Sequence, residues 1–117
     1  MYPTDIETSI REAFYTTDHY FLKKCKNENL RSGSTALCML YRKLEKKLFV
    51  AWAGDSQAMI ARLGNVRQIV KRHSPKDQSE RDRIEKLGGV VMLWGGQYRV
   101  NGSLAVSRAI GDSAHKV

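Results

Sequence analysis

Residues 48–63 read LFVAWAGDSQAMIARL, two apolar runs on either side of Gly54-Asp55-Ser56. Each run has the length and the Phe, Val, Trp and Ile content that are typical of a β-strand. Gly, Asp and Ser are residue types that favour turns. The stretch therefore predicts two buried antiparallel strands joined by a tight turn, with the Asp55 carboxylate at the edge of an apolar sheet. A lone aspartate there is most often only a turn residue, so its role depends on motifs elsewhere in the chain.

The length and composition fit a single domain, and the net charge favours an acidic partner. The chain has 117 residues, of which 42% are hydrophobic, enough to form a core. A formal net charge of +8 favours nucleic acid, a phosphorylated protein or an anionic surface as the partner. The basic residues are spread out, however, and lack the interleaved aromatic residues that a single-strand binder needs. We therefore expect no nucleic-acid partner.

The cysteines and the apolar runs indicate the cellular compartment of the protein. Cys25 and Cys38 are the only cysteines, and their spacing fits neither a zinc site nor a disulfide scaffold. The N-terminus is polar within three residues, so no signal peptide is predicted. No apolar run reaches the length of a membrane span. These features predict a reducing setting, cytoplasmic or nuclear, and no membrane partner.

The first segment predicts an amphipathic helix. Thr4 and Glu7 have the spacing of a capping box, and acidic residues favour the positive end of a helix. Apolar residues then recur every three or four positions up to about Lys24. Residues 27–32 are polar and are predicted to form a loop.

The central part predicts an antiparallel meander. Residues 34–41 are nearly all apolar and read as a strand before the two runs described above. Gly64-Asn65 is a hairpin signal, and residues 66–70 then read as the fourth strand. The near-continuous apolar character predicts that both faces are covered. One cover is the first helix, and the other is a second sheet for which this chain contains too few strands.

A second helix is predicted after the strands. Residues 76–87 are charged and favour a helix on the surface, and Gly88-Gly89 ends it as a C-cap does. Either Ser74 or Ser79 can be its N-cap. Residues 90–94 then predict a short strand. With the meander, these elements give an α+β fold class.

Five short motifs stand in a fixed order along the chain. They are GSTA at 33–36, WAGDS at 52–56, HSP at 73–75, RIE with GG at 83–89, and RVNGSLAVSRAIGD at 99–112. Each is weak alone, but five in order form a specific signal. The series resembles the metal-dependent serine/threonine protein phosphatases, the PPM or type 2C family, over essentially the whole chain. The second and fifth motifs look most like the calmodulin-dependent-kinase phosphatase subgroup.

The resemblance implies a fold and a reaction. The implied fold is a β-sandwich of two antiparallel sheets flanked by helices, in an α-β-β-α arrangement. The implied activity is hydrolysis of phosphoserine and phosphothreonine in protein substrates, with Mn²⁺ or Mg²⁺ as cofactor. Such hard cations take carboxylate and water oxygens, and a metal pair activates water and clamps phosphoryl oxygens. Phosphorylated proteins, protein kinases among them, are the implied partners.

The resemblance also assigns roles to two residues. Asp55 matches a carboxylate that helps to hold an additional, more weakly bound metal beside the main pair. Arg99 matches the basic residue of a flap, here residues 73–107, where it can meet substrate. Residues 1–117 match the central part of the domain, so we expect the Asp-Gly-His-Gly motif and a phosphate-binding arginine upstream and further aspartate ligands downstream. No catalytic residue is therefore expected within the chain.

Two further residues have structural interpretations. His73 lies in the family's His-x-Pro turn, where a structural role is expected. Asp112 belongs to the last motif, where we favour bonding to backbone at a turn over metal binding. His19 and His115 are not followed by glycine as in the missing acid motif, so neither replaces its proton donor.

Three interpretations of the whole chain remain open from the sequence. It is a fragment of an active phosphatase, a natural truncated isoform that binds phosphatase partners without chemistry, or a basic nucleic-acid-binding module. The third rests on net charge alone and predicts tight, steeply salt-dependent binding. We favour the first, and we expect the fragment to be inactive alone.

Overall fold

The computed structural model of the chain describes residues 5–116. It confirms the α+β class, with antiparallel strands and packed helices. Within the described residues, no helix is both long enough and apolar enough to cross a membrane. In chain order the elements are α1 (Ile6–Glu28), β1 (Gly33–Ser34), β2 (Ala36–Arg42), β3 (Lys47–Ala53), β4 (Met59–Arg62), β5 (Asn65–Gln68), α2 (Gln78–Lys86), β6 (Val91–Trp94), β7 (Gln97–Val100), β8 (Ile110–Gly111) and a 3-10 turn (Ser113–His115).

The N-cap of helix α1 lies one residue after the predicted cap, and the helix ends later than predicted. Thr4 lies outside the described residues, and the N-cap is Asp5, whose carboxylate accepts the Thr8 N–H at 3.1 Å and the Thr8 hydroxyl at 2.7 Å. The helix runs four residues beyond Lys24 because Asn29 takes the left-handed conformation that ends helices, with a φ of 55°. Part of the predicted loop is therefore helical.

The strands form four two-stranded antiparallel ladders, which pair β1 with β8, β2 with β3, β4 with β5, and β6 with β7. The β2–β3 hairpin is the longest, with a register from Ala36 opposite Ala53 to Arg42 opposite Lys47. Helix α1 packs against β3 and β8. The buried apolar residues are Ile6, Cys25, Ala58, Val70, Ile84, Val100 and Ala109.

The predicted pairing of the two strands that flank Asp55 is wrong. No ladder joins β3 to β4 in the described chain. Gly54 instead donates its N–H to Nδ1 of His73 at 3.0 Å and accepts the His73 N–H at 2.8 Å. Because His73 takes both backbone groups of Gly54, the chain leaves the sheet after β3 instead of turning back along it. The four predicted strands are therefore two separate hairpins, not one meander.

The β4–β5 hairpin also differs from the prediction. Its two-residue turn is Leu63-Gly64, one position before the predicted Gly64-Asn65, and both residues have positive φ, as a tight antiparallel hairpin requires. All eight residues of the two strands are exposed in the described chain. Within residues 5–116 no element covers this hairpin, so its cover by a second sheet stays a prediction.

Helix α2 begins at a cap that the sequence did not single out. Its N-cap is Asp77, whose carboxylate accepts the Ser79 N–H at 3.1 Å, so neither Ser74 nor Ser79 caps the helix. The predicted glycine end is confirmed, since Gly88 has a φ of 94° and the next amide donates to the carbonyl of Ile84 at 2.9 Å. The helix lies on the surface except for one face, where Ile84 is 1% exposed.

Residues 73–107, the predicted flap, contain a hairpin of which the sequence predicted only the first strand. β6 and β7 pair from Val91 opposite Val100 to Trp94 opposite Gln97, and Gly95-Gly96 forms the tight turn. An isolated bridge between Val100 and Leu104 continues the hairpin into the following loop. Helix α2 and this hairpin therefore occupy most of residues 73–107.

We predict that Gly111→Ala lowers the free energy of unfolding by about 2 kcal/mol, because it adds strain and a clash. Gly111 has a φ of 83°, and a Cβ there would lie 2.6 Å from a Phe21 ring carbon and 2.6 Å from the Ser32 carbonyl oxygen. Its N–H also donates to the Asp18 carboxylate at 2.8 Å, which fastens β8 to α1. Urea unfolding of the purified chain, followed by tryptophan fluorescence, measures the loss.

Gly64→Ala is the matched control for this prediction. Gly64 has a similar φ of 81°, but nothing lies within 4 Å of the position a Cβ would take. The control should cost only the backbone strain, about 1 kcal/mol. Equal losses for the two variants would show that the contact with Phe21 and Ser32 contributes nothing.

Candidate functional site

Asp55 lies in a short irregular segment whose backbone is fixed on both sides. On one side is Gly54, whose N–H donates to His73. A Cβ added at Gly54 would lie 2.7 Å from the Thr35 Cβ, so no larger residue fits there. On the other side, the Ser56 hydroxyl bonds to the Thr35 hydroxyl at 2.8 Å. Asp55 itself is exposed. The fold therefore holds an exposed carboxylate on a rigid turn.

His73 supports this turn as a neutral ring. Its Nδ1 accepts the Gly54 N–H, so the ring proton is on Nε2. The imidazole stacks on the Trp52 indole, with the ring centres 5.8 Å apart and the planes 17° apart. Burial lowers the pKa of His73, and the positive charge of Arg108 lowers it further. These contacts agree with the structural role expected for His73.

A cavity of about 730 Å³ opens beside Asp55. Its walls come from the end of β5, from the segment between β5 and α2, and from the β6–β7 hairpin. The lining residues are Asp55, Gln68, Val70, Lys71, Arg72, Ser74, Lys76, Asp77, Gly96, Gln97, Tyr98 and Ala105.

The cavity offers a divalent cation one free carboxylate. Asp77, the other acid of the lining, caps α2 and pairs with Lys71 at 3.0 Å, and these bonds lower the pKa of Asp77. Residues 5–116 contain no group of three or more His, Cys, Asp and Glu side chains that could hold a metal. Hard cations take about six oxygen ligands. Asp55 therefore fits the role of a single ligand, and a metal there needs further ligands from outside the described chain.

Arg99 does not line this cavity. Its guanidinium donates to the Ser103 carbonyl at 2.9 Å, the Trp94 carbonyl at 3.4 Å and the Gln97 side chain at 3.3 Å. These bonds tie the β6–β7 hairpin to the loop that follows it. The two residues that the sequence assigned to the site, Asp55 and Arg99, are therefore not brought into one cavity. These bonds use three of the five N–H donors of Arg99, which leaves two donors for contact with substrate.

Asp112 lies at the turn before the 3-10 segment, and within residues 5–116 its carboxylate makes no hydrogen bond to backbone, so the choice between a structural role and metal binding stays a prediction. It has a φ of 51°, donates its N–H to the Ser32 carbonyl at 2.9 Å, and accepts the His115 N–H at 2.9 Å. Its carboxylate lies against Gly33, where a Cβ would clash with it. The bonds come from its own backbone groups, which keep β1 and β8 together.

A buried carboxylate that the sequence did not single out joins α2 to residues 107 and 108. Glu80 on α2 is 6% exposed and accepts two bonds from Arg108, at 2.7 and 3.0 Å. It also accepts the Ser107 hydroxyl at 2.9 Å and Arg83 Nε at 3.3 Å. Arg83 in turn donates to the Ser107 carbonyl at 2.8 Å. Helix α2 and residues 107 and 108 are therefore held by one charged network.

The network sets the charge state of Glu80. Burial alone would raise the pKa of Glu80, but the bonds from Arg108 and Ser107 outweigh it and lower the pKa to about 2. The carboxylate is therefore ionised over the physiological pH range. Arg83, Ser107 and Arg108 belong to the fourth and fifth motifs, but nothing in the sequence indicates that Glu80 joins them.

Comparison with known proteins agrees with this fold. The family model described as "Protein phosphatase 2C" matches residues 2–117. "Protein phosphatase 1E" of Mus musculus is 47% identical over 116 residues, which are 99% of this chain and 15% of that protein. "Protein phosphatase 1F" of Homo sapiens is 49% identical over 117 residues, which cover 97% of this chain and 24% of that protein.

A solved structure has the same arrangement of elements. The entity described as "Structure of a C.elegans sex determining protein" aligns with a TM-score of 0.90 and 32% sequence identity, and covers 97% of this chain and 28% of that one. The chain thus spans between 15% and 24% of the length of the two curated relatives. On the family match over residues 2–117, the chain belongs to the protein phosphatase 2C family.

Proposed function

We propose that this chain is the central segment of a metal-dependent protein serine/threonine phosphatase domain. The observation that carries the proposal is the family match over residues 2–117. The exposed Asp55 carboxylate, held on a rigid turn beside a cavity, is consistent with it. The reaction is hydrolysis of phosphoserine and phosphothreonine in protein substrates, with Mn²⁺ or Mg²⁺ as the cofactor.

In this proposal Asp55 holds a metal and Arg99 binds substrate. That metal would be the additional, more weakly bound one, whereas the main metal pair would supply activated water and neutralise phosphoryl charge. Asp55 contributes a hard carboxylate oxygen at a fixed position. Arg99 offers a planar set of donors that suits phosphate, and two of its five N–H groups are not used in the bonds to Trp94, Ser103 and Gln97.

The finer proposal is the calmodulin-dependent-kinase phosphatase subgroup. It is supported by the motifs at 52–56 and 99–112, and by identities of 47% and 49% to the proteins named 1E and 1F. Phosphorylated protein kinases are then among the substrates. We further propose a cytoplasmic or nuclear location, without a nucleic-acid or membrane partner.

A second candidate is a truncated isoform that binds phosphatase partners but carries out no chemistry. The two candidates separate on whether the transcript continues in frame past both ends of the chain.

We predict that the chain alone hydrolyses no phosphate ester. Metal-assisted attack needs several ligands in one place, and within residues 5–116 no three His, Cys, Asp or Glu side chains come together to hold a metal. The measurement is phosphate release from a phosphothreonine peptide by the purified chain, with excess Mn²⁺. The control is the complete phosphatase domain, which should be active under the same conditions. Metal-dependent turnover by the chain above a blank preparation would refute the prediction, and an inactive complete domain would refute the proposed function.

A further inference from the structure

The cavity beside Asp55 carries two positive charges without a partner. Its basic residues are Lys71, Arg72 and Lys76, and its acidic residues are Asp55 and Asp77. Lys71 and Asp77 lie 3.0 Å apart and offset one another. Arg72 and Lys76 are exposed, and within residues 5–116 neither has an ion-pair partner.

The backbone that carries these two cations is fixed. His73 follows Arg72 and is clasped to Gly54 by two hydrogen bonds. Pro75 precedes Lys76 and is among the most completely buried residues of the described chain. The two long side chains therefore extend from anchored positions into the same concave surface as Asp55.

We propose that Arg72 and Lys76 bind acidic side chains that flank the phosphorylated residue of a protein substrate. The inference rests on the proposed function, because that function brings the phosphorylated residue to the cavity beside Asp55. A divalent cation would then offset the Asp55 charge, which leaves this cavity positive. A guanidinium binds a carboxylate through two parallel hydrogen bonds, and an ammonium attracts it as a point charge. Phosphosites with glutamate or aspartate nearby should therefore be preferred.

The residue types that line the cavity favour an acidic peptide over single-stranded nucleic acid. Binders of single strands stack bases on exposed aromatic rings. Tyr98 is the only aromatic residue in this lining, and the Arg81 guanidinium covers its ring at 4.7 Å from the centre. Arg81 thus covers one face of the single aromatic ring in this lining, which otherwise offers mainly charged and polar groups.

The test compares phosphothreonine peptides that differ only in their flanking residues, which are Glu, Gln or Lys, as substrates of the complete phosphatase domain. We expect kcat/KM for the Glu peptide to exceed that for the Gln peptide about fivefold, with a smaller ratio at high salt. Arg72→Gln combined with Lys76→Gln should remove this preference. Arg72→Glu combined with Lys76→Glu should reverse it in favour of the Lys peptide.

The matched control removes the same net charge elsewhere. Lys43 and Lys46 lie in the turn between β2 and β3 and do not line the cavity. Lys43→Gln combined with Lys46→Gln should keep the preference for the Glu peptide. Its loss in this control would show that net charge, not the cavity, selects the peptide, and would overturn the inference.

Two further outcomes would overturn the inference, and a third would reject the proposed function. Equal kcat/KM for the Glu and Gln peptides in the unchanged domain would remove the acidic preference. Tight oligonucleotide binding that depends on Arg72 and Lys76 would assign the cavity to nucleic acid instead. Failure to hydrolyse any of the three peptides would instead reject the proposed phosphatase function.

Discussion

Replacing Glu80 by glutamine should lower the free energy of unfolding by about 2 kcal/mol, the range found for buried hydrogen bonds to charged groups. The carboxylate accepts two bonds from Arg108 and one from Ser107, and it is 6% exposed. Glutamine has nearly the same shape but no charge, and its amide nitrogen cannot accept a bond from Arg108. The variant therefore leaves a guanidinium without its counter-charge. Urea unfolding of the complete phosphatase domain measures the loss.

Glu85→Gln is the control for this variant. It removes the same charge from the same helix, but Glu85 is exposed. It should change the free energy of unfolding by less than about 0.5 kcal/mol. Similar losses for the two variants would show that the network of Glu80 with Arg108 does not stabilise the fold.

The same network gives a pH dependence of defined sign. The pKa of Glu80 is about 2, against 4.5 for an ordinary glutamate. A carboxyl group whose pKa is lowered by folding stabilises the folded state above its unfolded-state pKa. The contribution of Glu80 should therefore be complete above pH 4.5 and decline as the pH falls towards 2. The difference in stability between the original and the Glu80→Gln domains should shrink over this window.

The elements of the fold were largely predictable, because local chemistry determines them. Both helices and the hairpin of residues 34–53 follow from apolar periodicity and turn residues. The glycine stop at Gly88 also follows from local rules, because glycine readily adopts the φ of 94° found there. The N-cap residues were harder to predict, because aspartate, serine and threonine all favour the N-cap and occur side by side here. Asp5 and Asp77 are the residues that cap the two helices.

The pairing of strands was not predictable from local chemistry. Gly54-Asp55-Ser56 has the composition of a hairpin turn, but His73 binds both backbone groups of Gly54 from 19 residues away. A contact at that separation leaves no trace in the periodicity of either segment. The network of Glu80 with Arg108 escaped prediction for the same reason, since 28 residues separate the two side chains.

The candidate site was predictable in part. The motif order gave the family, which the match over residues 2–117 supports. It also gave Asp55, which lies beside a cavity, and the role of Asp55 stays a prediction. Arg99 was assigned by the same motif order, yet three of its five N–H donors bond to Trp94, Ser103 and Gln97, which no sequence pattern reveals, and its role stays a prediction. The cations Arg72 and Lys76 looked like ordinary surface residues until the fold placed them in one cavity.

Asp55→Asn in the complete phosphatase domain should lower turnover at low Mn²⁺ by at least about tenfold, while the melting temperature changes by less than about 2 °C. Asparagine is well tolerated in turns, and the backbone around Asp55 is held by bonds of Gly54 and Ser56 that do not involve its carboxylate. The substitution removes one negative charge that faces a divalent ion. Because a hard cation prefers carboxylate to amide oxygen, high Mn²⁺ should restore part of the rate.

The control is Asp82→Asn, which removes the same charge from an exposed position on α2 that does not line the cavity. Asp82 accepts a bond from Gln78 one turn earlier, and asparagine can accept it equally well. This variant should keep its rate at every Mn²⁺ concentration. Direct titration of bound Mn²⁺ separates ligand loss from a folding defect, since Asp55→Asn should weaken one binding event and leave the others unchanged. Full turnover of the Asp55 variant at low Mn²⁺, with unaltered binding, would return Asp55 to the role of a turn residue.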